Sequence, residues 1–456
     1  MKFLPTTKEE MKSLGWDSID VLLISGDTYL DTSYNGSALI GKWLVEHGFK
    51  VGIIAQPEVD VPDDITRLGE PNLFFAISGG CVDSMVANYT ATKKRRQQDD
   101  FTPGGENNKR PDRAVLVYSN MIRRFFKGTT KKIVISGIES SLRRITHYDY
   151  WTNKLRKPIL FDAKADILSY GMGEMSMLQL ANALKNGEDW QNIRGLCYLS
   201  KEPKEDYLSL PSHADCLADK DKFIEAFHTF YLNCDPITAK GLCQKCDDRY
   251  LIQNPPSESY SEEIMDKIYS MEFARDVHPY YKKMGAVRAL DTIKYSVTTH
   301  RGCYGECNFC AIAIHQGRTI MSRSQNSIVE EVKNIAETPK FHGNISDVGG
   351  PTANMYGLEC KKKLKLGACP DRRCLYPKKC PHLQVNHNNQ VELLKKLKKI
   401  PNIKKNAILP TPALIEPVNC DTSETDAVPK KAAPLPQISI NPKYSPDCSA
   451  GIILVK

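Results

Sequence analysis

The feature of this sequence that most restricts its fold is a repeated pattern of apolar runs and helical segments near the amino terminus. Residues 20–25 (DVLLIS) and 50–55 (KVGIIA) are short apolar runs, which are typical of buried parallel strands. Between them, residues 37–47 carry apolar side chains at helical spacing and end at Gly48. Strand, helix and strand in this order predict a right-handed parallel crossover. We therefore expect the first half of the chain to be a doubly wound α/β domain.

Further elements continue this pattern along the chain. The expected strands of the first half are residues 73–77, 132–136, 158–161 and 166–170, followed by a helix at 175–184. The next stretch carries few strand signals, and its helical segments are residues 222–231 and 260–273. A second α/β unit follows, with strands at 294–300 and 344–348 and helices at 327–337 and 389–399. Its order predicts the opening of a parallel barrel or sheet.

Composition and the amino-terminal residues indicate where in the cell the protein is located. The 456 residues are 41% hydrophobic and 25% charged, as in ordinary globular proteins. No run approaches the roughly 18 consecutive apolar residues that span a bilayer. Residues 1–16 are mixed and charged and lack the apolar centre of a secretory signal. We therefore expect a cytoplasmic protein without a membrane partner.

The net charge of +8 is concentrated in one segment. Residues 360–410 hold 14 Lys and Arg against 2 Asp and Glu, so the rest of the chain is slightly acidic. A lysine-rich helix face is more often a solvated surface than a polyanion site. The sequence therefore does not support nucleic-acid binding.

Fifteen cysteines in a reducing compartment indicate metal or iron–sulfur chemistry rather than a disulfide framework. The tightest group is Cys303, Cys307 and Cys310 in THRGCYGECNFC, directly after a predicted strand. Three thiolates in one loop can hold three irons of a cubane cluster and leave the fourth iron open to a small molecule. The alternative is a structural zinc site with a fourth ligand from His300 or His315.

A second group of cysteines lies further along the chain. Cys360, Cys369, Cys374 and Cys380, with His382 close by, could bind a second metal as zinc or as an auxiliary cluster. Their spacings match no standard zinc unit, so reduced structural thiols are the alternative. Cys243 and Cys246 form a lone CxxC pair, for which an ordinary loop is favoured over a metal site. The remaining cysteines are expected to bind no metal: Cys81, Cys197, Cys216, Cys234, Cys420 and Cys448.

The spacing Cys-x3-Cys-x2-Cys, with aromatic Phe309 before the third cysteine, resembles the signature of the radical S-adenosylmethionine (SAM) enzymes. Longer strings resemble the YgiQ-type members of that superfamily over roughly residues 1–400. These strings are residues 14–17 (LGWD), 20–27, 137–143, 147–151, 250–256 and 347–354 (DVGGPTAN).

The resemblance implies a 4Fe-4S cluster on Cys303, Cys307 and Cys310. Such a cluster cleaves SAM reductively and yields a 5′-deoxyadenosyl radical, which then attacks a substrate. A small electron donor such as a flavodoxin or ferredoxin would be the partner. Nothing in the sequence identifies the substrate.

The resemblance also implies where SAM binds. Phe309 would pack near the adenine, and Gly349 and Gly350 would contact the methionine moiety at the end of the second barrel strand. The family's Gly-Gly-Glu-like motif has an acidic third residue, which Pro351 replaces here. Backbone carbonyls or Thr352 would then take over that contact.

The N-terminal α/β domain of radical SAM enzymes often binds cobalamin, and the resemblance raises this alternative. The usual Asp-x-His-x-x-Gly motif is missing after the first strand, which disfavours cobalamin here. The expected fold class is α/β: a doubly wound domain, cobalamin-binding-like or Rossmann-like, followed by an incomplete radical SAM (βα) barrel. The expected parts are residues 1–195 (α/β domain), 196–290 (mainly helical connection), 291–404 (radical SAM core) and 405–456 (flexible proline-rich tail).

The carboxyl-terminal part departs from the family. Members of the family continue with more barrel strands, whereas this chain leaves the pattern soon after Lys404. The sequence therefore predicts a truncated or frameshifted terminus. An incomplete barrel also raises a second function, a non-catalytic iron–sulfur or zinc-binding remnant, because missing strands leave open edges.

Overall fold

The computed structural model describes residues 1–350 and 355–406 as an assembly of short strands and helices. The strands are β1 (Val21–Ser25), β2 (Val51–Ala55), β3 (Phe74–Ser78), β4 (Lys132–Ser136), β5 (His147–Asp149), β6 (Lys154–Arg156), β7 (Ile167–Ser169), β8 (Leu196–Ser200), β9 (Leu208–Leu210), β10 (Leu242–Cys246), β11 (Arg249–Gln253), β12 (Ser296–Thr298), β13 (His300–Arg301), β14 (Met321–Ser322), β15 (Asn344–Ile345), β16 (Asp347–Gly349) and β17 (Lys405–Asn406). The helices are α1 (Lys8–Ser13), α2 (Gly36–Glu46), α3 (Pro62–Thr66), α4 (Ser84–Asn88), α5 (Ala114–Phe125), α6 (Gly137–Leu142), α7 (Ile159–Ala163), α8 (Glu174–Asn186), α9 (His213–Ala218), α10 (Lys220–Leu232), α11 (Glu262–Tyr269), α12 (Pro279–Lys282), α13 (Ala289–Ile293), α14 (Ile312–His315), α15 (Gln325–Ala336), α16 (Lys361–Leu366) and α17 (Asn388–Leu397).

Nine strands form one large sheet in the order β2-β1-β3-β4-β7-β8-β11-β10-β9. The first five of these are parallel, with Val21 opposite both Val51 and Phe74. Strands β8 and β11 then run antiparallel to their neighbours. The parallel half and its crossover helices confirm the predicted α/β fold class.

Helices cover both faces of this sheet, which explains why its central strands are apolar on both sides. All five residues of β1 are buried. Leu23 packs on one face in a core that includes Leu39 of α2 and Leu180 of α8. Leu22 packs on the other face with Val115 of α5. The sheet is therefore doubly wound, as the sequence predicts.

Two expectations about the sheet are wrong. Residues 158–161 were expected to form a strand, but Pro158 caps helix α7 instead. A run of four apolar residues does not distinguish strand from helix, and a proline at the start favours the helix. Residues 196–290 were expected to be mainly helical, yet they add β8, β9, β10 and β11 to the large sheet. The sheet thus continues across the predicted boundary at residue 195.

The second unit contains the predicted strand–helix–strand order. Strand β12 pairs in parallel with β16, and α15 lies between them in the chain. Val297 of β12, Val348 of β16 and Ile328 of α15 share one apolar core. The predicted strands 294–300 and 344–348 are each divided in two, and β15 pairs with β17. Residues 407–456, most of the predicted tail, lie outside the described residues.

Within the described ranges, no helix combines the length and the apolar character needed to cross a bilayer.

Candidate iron–sulfur site

The loop that carries the three closely spaced cysteines begins directly after β13. Gly302 has a positive φ of 83°, and a Cβ at this position would overlap the carbonyl oxygen of Thr319. Only glycine fits such a close approach in the left-handed region. The backbone N–H of Cys303 donates to the carbonyl oxygen of Gly317 at 3.2 Å. The start of the loop is therefore fixed against residues 317–319.

The three thiols of the loop differ in their exposure to solvent. Cys303 is buried, Cys310 is half-buried and Cys307 is exposed. A Cβ on Gly305 would lie 3.2 Å from Sγ of Cys303 and 3.5 Å from Sγ of Cys307, so both sulfurs border this glycine. Burial raises the pKa of the Cys307 thiol, and the nearby thiols of Cys303 and Cys310 raise it further. The loop therefore places the three sulfurs in one neighbourhood.

The donors of this loop are three thiols, the ligand type that iron–sulfur clusters take. Across residues 1–350 and 355–406, no group of three His, Cys, Asp or Glu side chains is arranged to hold a single metal ion. The N–H of Gly305 donates to Sγ of Cys303 at 3.3 Å, the kind of hydrogen bond that stabilises a cluster thiolate.

A buried carboxylate lies inside the same loop. Glu306, between the first two cysteines, forms an ion pair with Arg318 at 2.7 Å and accepts a hydrogen bond from the Tyr231 hydroxyl at 2.5 Å. The ammonium group of Lys363 is 3.7 Å from its other oxygen. Glu306 therefore connects the cysteine loop to α10 and to α16. The sequence alone does not single out Glu306, although it is a charged side chain inside the cysteine motif.

The predicted SAM-binding glycines lie beside this loop. Gly349 ends β16 opposite Thr298, and its carbonyl oxygen accepts from the N–H of Thr299 at 2.7 Å. A Cβ on Gly350 would overlap the imidazole ring of His300, which lies three residues before the first cysteine of the loop. The glycine pair thus lies at the carboxyl end of a parallel strand, next to the cysteine loop.

Of the other two predicted SAM contacts, Phe309 and Thr352, the structure describes the position of Phe309. The side chain of Phe309 is 57% exposed, next to Cys310, and has room to face a ligand. Thr352 and Pro351 lie outside the described residues.

The second cysteine group packs against the first loop. Cys360, Cys374 and Cys380 are buried in one apolar cluster with Cys303 and Tyr304. Cys369 is half-buried. The other described cysteines belong elsewhere in the fold, and Cys420 and Cys448 lie outside the described residues.

A narrow cleft of about 50 Å³ lies between the large sheet and the segment that follows the cysteine loop. Its lining includes Tyr170 after β7, Tyr260 before α11, and His315 and Arg318 from the cysteine-loop side. Burial lowers the pKa of His315 to about 4, and the nearby guanidinium groups of Arg144 and Arg301 also disfavour its charged form. This arrangement gives the cleft a neutral imidazole at neutral pH.

The crevice at the carboxyl ends of β1 and β3, where strand order reverses, is occupied by charged side chains. Arg110 pairs with Asp27 at 2.6 Å and with Asp99 at 3.1 Å, and all three are buried. Such a reversal point is where doubly wound sheets bind cofactors. Here an internal ion-pair network fills the position.

Comparison with known proteins places this geometry in a family. Residues 3–296 match the family described as Radical SAM N-terminal. A UPF0313 protein of Fusobacterium nucleatum is 96% identical over 405 residues, which are 89% of this chain and 71% of that protein. A UPF0313 protein of Thermotoga neapolitana is 48% identical over 405 residues, with coverages of 88% and 71%.

The solved structures that this chain matches are more distant. The radical SAM methyltransferase TsrM of Kitasatospora setae, solved with cobalamin and a [4Fe-4S] cluster, has a TM-score of 0.40 and 14% identity; the match covers 76% of this chain and 49% of TsrM. The cobalamin-dependent SAM radical enzyme OxsB has a TM-score of 0.38 and 13% identity, with coverages of 73% and 34%. At this similarity, their ligands remain properties of those two proteins.

Proposed function

This chain belongs to the UPF0313 family of the radical SAM superfamily, and we propose that it is an enzyme that cleaves SAM reductively. The observation that supports this most directly is that the sulfurs of Cys303 and Cys307 both border Gly305, with Cys310 close enough to Cys307 to raise the pKa of its thiol. The carboxyl end of β16, where Gly350 contacts His300, lies beside it. The cysteine loop and the strand end that would bind SAM thus lie at the same edge of the second unit.

In this proposal, the residues of the loop hold the cofactor. Cys303, Cys307 and Cys310 would bind a 4Fe-4S cluster, which supplies one electron that splits SAM into methionine and a 5′-deoxyadenosyl radical. The N–H of Gly305 donates to the sulfur of Cys303 and lowers its electron density. The Glu306 ion pair fixes the loop between the first two cysteines.

SAM would be oriented by the strand end and by one aromatic ring. Gly349 and Gly350 let the backbone approach the methionine moiety closely, because neither carries a Cβ. Phe309 would cover the adenine, and Thr352 would replace the acidic residue of the family motif.

The substrate would enter the cleft beside His315, since it borders both the large sheet and the segment after the cysteine loop. An electron donor of the flavodoxin or ferredoxin type is the proposed partner. Cobalamin is not part of this proposal, because the ion pairs of Arg110 fill the crevice between β1 and β3.

The test uses the full chain, purified and reconstituted without oxygen. We expect the triple variant C303A/C307A/C310A to lose about four irons per chain relative to wild type and all dithionite-dependent formation of 5′-deoxyadenosine. A control triple variant, C81A/C216A/C243A, changes cysteines outside the loop and should retain both. Unchanged iron content and product formation in the first variant would refute the ligand assignment. Iron binding without 5′-deoxyadenosine in the wild type would favour the non-catalytic alternative.

A further inference from the structure

Residues 359–380, here called the basic segment, form a strongly positive stretch after β16. They hold eight Lys and Arg against two Asp and Glu, and so supply +6 of the chain's net charge of +8. Lys363 is buried and Arg373 is half-buried. The other six basic side chains are exposed to solvent: Lys361, Lys362, Lys365, Arg372, Lys378 and Lys379.

Two side chains of the basic segment lie next to the cysteine loop. The ammonium group of Lys363 is 3.7 Å from the carboxylate of Glu306 and 5.1 Å from the centre of the Tyr304 ring. Burial raises the pKa of the Cys307 thiol, and the guanidinium of Arg373 is close enough to oppose that rise. Cys307 is the most exposed of the three cysteines in the loop. The basic segment therefore borders the cysteine that faces solvent.

The basic segment also exposes apolar side chains, unlike an ordinary solvated run of lysines. Leu364, Leu366 and Tyr376 are 46%, 64% and 61% exposed, and Phe309 of the adjacent cysteine loop is 57% exposed. Apolar side chains exposed among charged ones are typical of a surface where a protein partner docks. Exposed leucines fit a protein better than a nucleic acid, which is bound through its phosphates and stacked bases.

The position beside Cys307 indicates what such a partner does. The rate of electron transfer falls steeply with the distance between donor and acceptor, so a donor must dock close to an exposed edge of the cysteine loop. Electron-transfer partners meet through small, transient interfaces, and opposite charges increase their association rate. A basic docking surface selects a partner with an acidic surface.

We propose that the basic segment is the docking surface for an acidic electron-carrier protein, which delivers its electron beside Cys307. One electron passes from the reduced carrier to the cluster that the three cysteines would hold, and no atom is transferred. This inference rests on the function proposed above, because a chain that holds no cluster needs no electron carrier.

The first experiment measures the affinity of the full, anaerobically reconstituted chain for an acidic flavodoxin, by calorimetry at low ionic strength. The variant K361Q/K362Q/K365Q removes three exposed charges from α16 and leaves buried Lys363 in place. We expect it to bind flavodoxin about tenfold more weakly than wild type. Equal affinity in the variant and in wild type would overturn the proposal.

The matched control removes three exposed lysines from α17 and the turn that follows it, in K395Q/K398Q/K399Q. It changes the net charge by the same amount, and it should bind flavodoxin as wild type does. If both variants weaken binding equally, the attraction depends on net charge alone and the docking surface is refuted. Saturable binding of total tRNA that only the α16 variant loses would assign the basic segment to nucleic acid and would also overturn the proposal.

A second experiment separates this inference from the function on which it rests. Dithionite is a small reductant that needs no docking surface, so K361Q/K362Q/K365Q should form 5′-deoxyadenosine with it at the wild-type rate. With limiting reduced flavodoxin, the same variant should be about tenfold slower. A wild-type rate with flavodoxin would overturn the docking surface alone. A wild-type chain that forms no 5′-deoxyadenosine with either reductant would overturn the proposed function, and with it the role of the electron carrier.

Discussion

Glu306 links the cysteine loop to neighbouring parts of the fold through a buried ion-pair network. Its carboxylate is buried between two cations, Arg318 and Lys363, and accepts the hydroxyl hydrogen of Tyr231. Removing the negative charge would leave two buried cations without compensation. We expect Glu306→Gln to lower the free energy of unfolding by about 3 kcal/mol. The measurement is chemical denaturation of the apo protein, followed by the iron content after reconstitution.

The matched control for this change is Glu330→Gln. Glu330 is exposed and pairs with exposed Lys333 at 2.6 Å on α15. Solvent screening limits the contribution of such an ion pair to the free energy of unfolding to about 1 kcal/mol or less. If E306Q and E330Q unfold at the same denaturant concentration, the buried network does not stabilise the loop.

Gly350 provides a second test at the scale of one residue. A Cβ there would overlap the imidazole of His300, so Gly350→Ala must displace the ring or the strand end. We expect a destabilisation of about 1–3 kcal/mol and a loss of SAM affinity, measured by calorimetry with the reconstituted protein. Gly36→Ala is the control, because no atom lies within 4 Å of a Cβ at that position. SAM affinity equal to wild type in G350A would contradict the proposed position of the methionine moiety.

The sequence identifies the three clustered cysteines and the glycine pair because each set is contiguous or nearly so. It does not identify the partners of Glu306, since Tyr231 lies 75 residues earlier in the chain. Such a network forms only when α10, the cysteine loop and α16 come together. Whether the loop binds a cluster stays a prediction.

Among the secondary-structure elements, the buried parallel strands are the easiest to predict from sequence. The sequence predicts both the first and the last residue of strand β4 correctly. A short continuous apolar run is typical of a parallel strand that is buried on both faces. Strands β10 and β11 are not predicted, because the buried polar residues Gln244 and Gln253 interrupt their apolar pattern. Gln244 in β10 is fully buried, donates to the carbonyl oxygen of Pro211 at 3.0 Å and accepts from the N–H of Thr146 at 2.8 Å. Long-range hydrogen bonds of this kind leave no periodic signal.

His315 on helix α14 is expected to make the free energy of unfolding depend on pH. His315 ends this helix, and its ring Nδ1 is 3.1 Å from the hydroxyl of Ser141 on α6. Burial lowers its pKa to about 4; Arg144 and Arg301 also lower it, and Glu174 raises it. The unfolded chain, with a His pKa near 6.5, therefore binds this proton more readily than the folded chain. The stability from neutral His315 is complete above about pH 6.5 and is lost as the pH falls toward 4.

We therefore expect His315→Gln to reduce the acid sensitivity of unfolding. Each bound proton changes stability by about 1.4 kcal/mol per pH unit, so the difference between pH 7 and pH 5 amounts to at most about 2 kcal/mol for this group. Denaturation curves at both pH values measure it. His228→Gln, at an exposed position on α10, should leave the pH dependence as in wild type. Equal pH dependence in wild type and H315Q would show that another group controls it.

At the scale of the whole molecule, the second unit, which carries the cysteine loop, packs directly on the large sheet. Met321 of β14 belongs to the same apolar core as Leu23 of β1, and its sulfur accepts the N–H of Tyr260 at 3.2 Å. The two predicted domains therefore share buried surface in this structure. Movement of one unit against the other would expose that core.

One buried ion pair crosses this contact next to the proposed cluster site. Arg301, just before the cysteine loop, pairs with Glu174 of α8 at 2.5 Å and donates to the Tyr269 hydroxyl at 2.9 Å. Glu174→Gln would keep the shape but leave the guanidinium without its counter-charge, at a cost of about 3 kcal/mol. We expect faster hydrogen exchange in α14 and α15 and unchanged exchange in β1 to β4, because the sheet core does not depend on this pair. Glu225→Gln, in an exposed pair with Lys222, should change neither region. Faster exchange throughout the sheet in E174Q would mean that the two units unfold together, and that the ion pair stabilises the whole molecule rather than the contact alone.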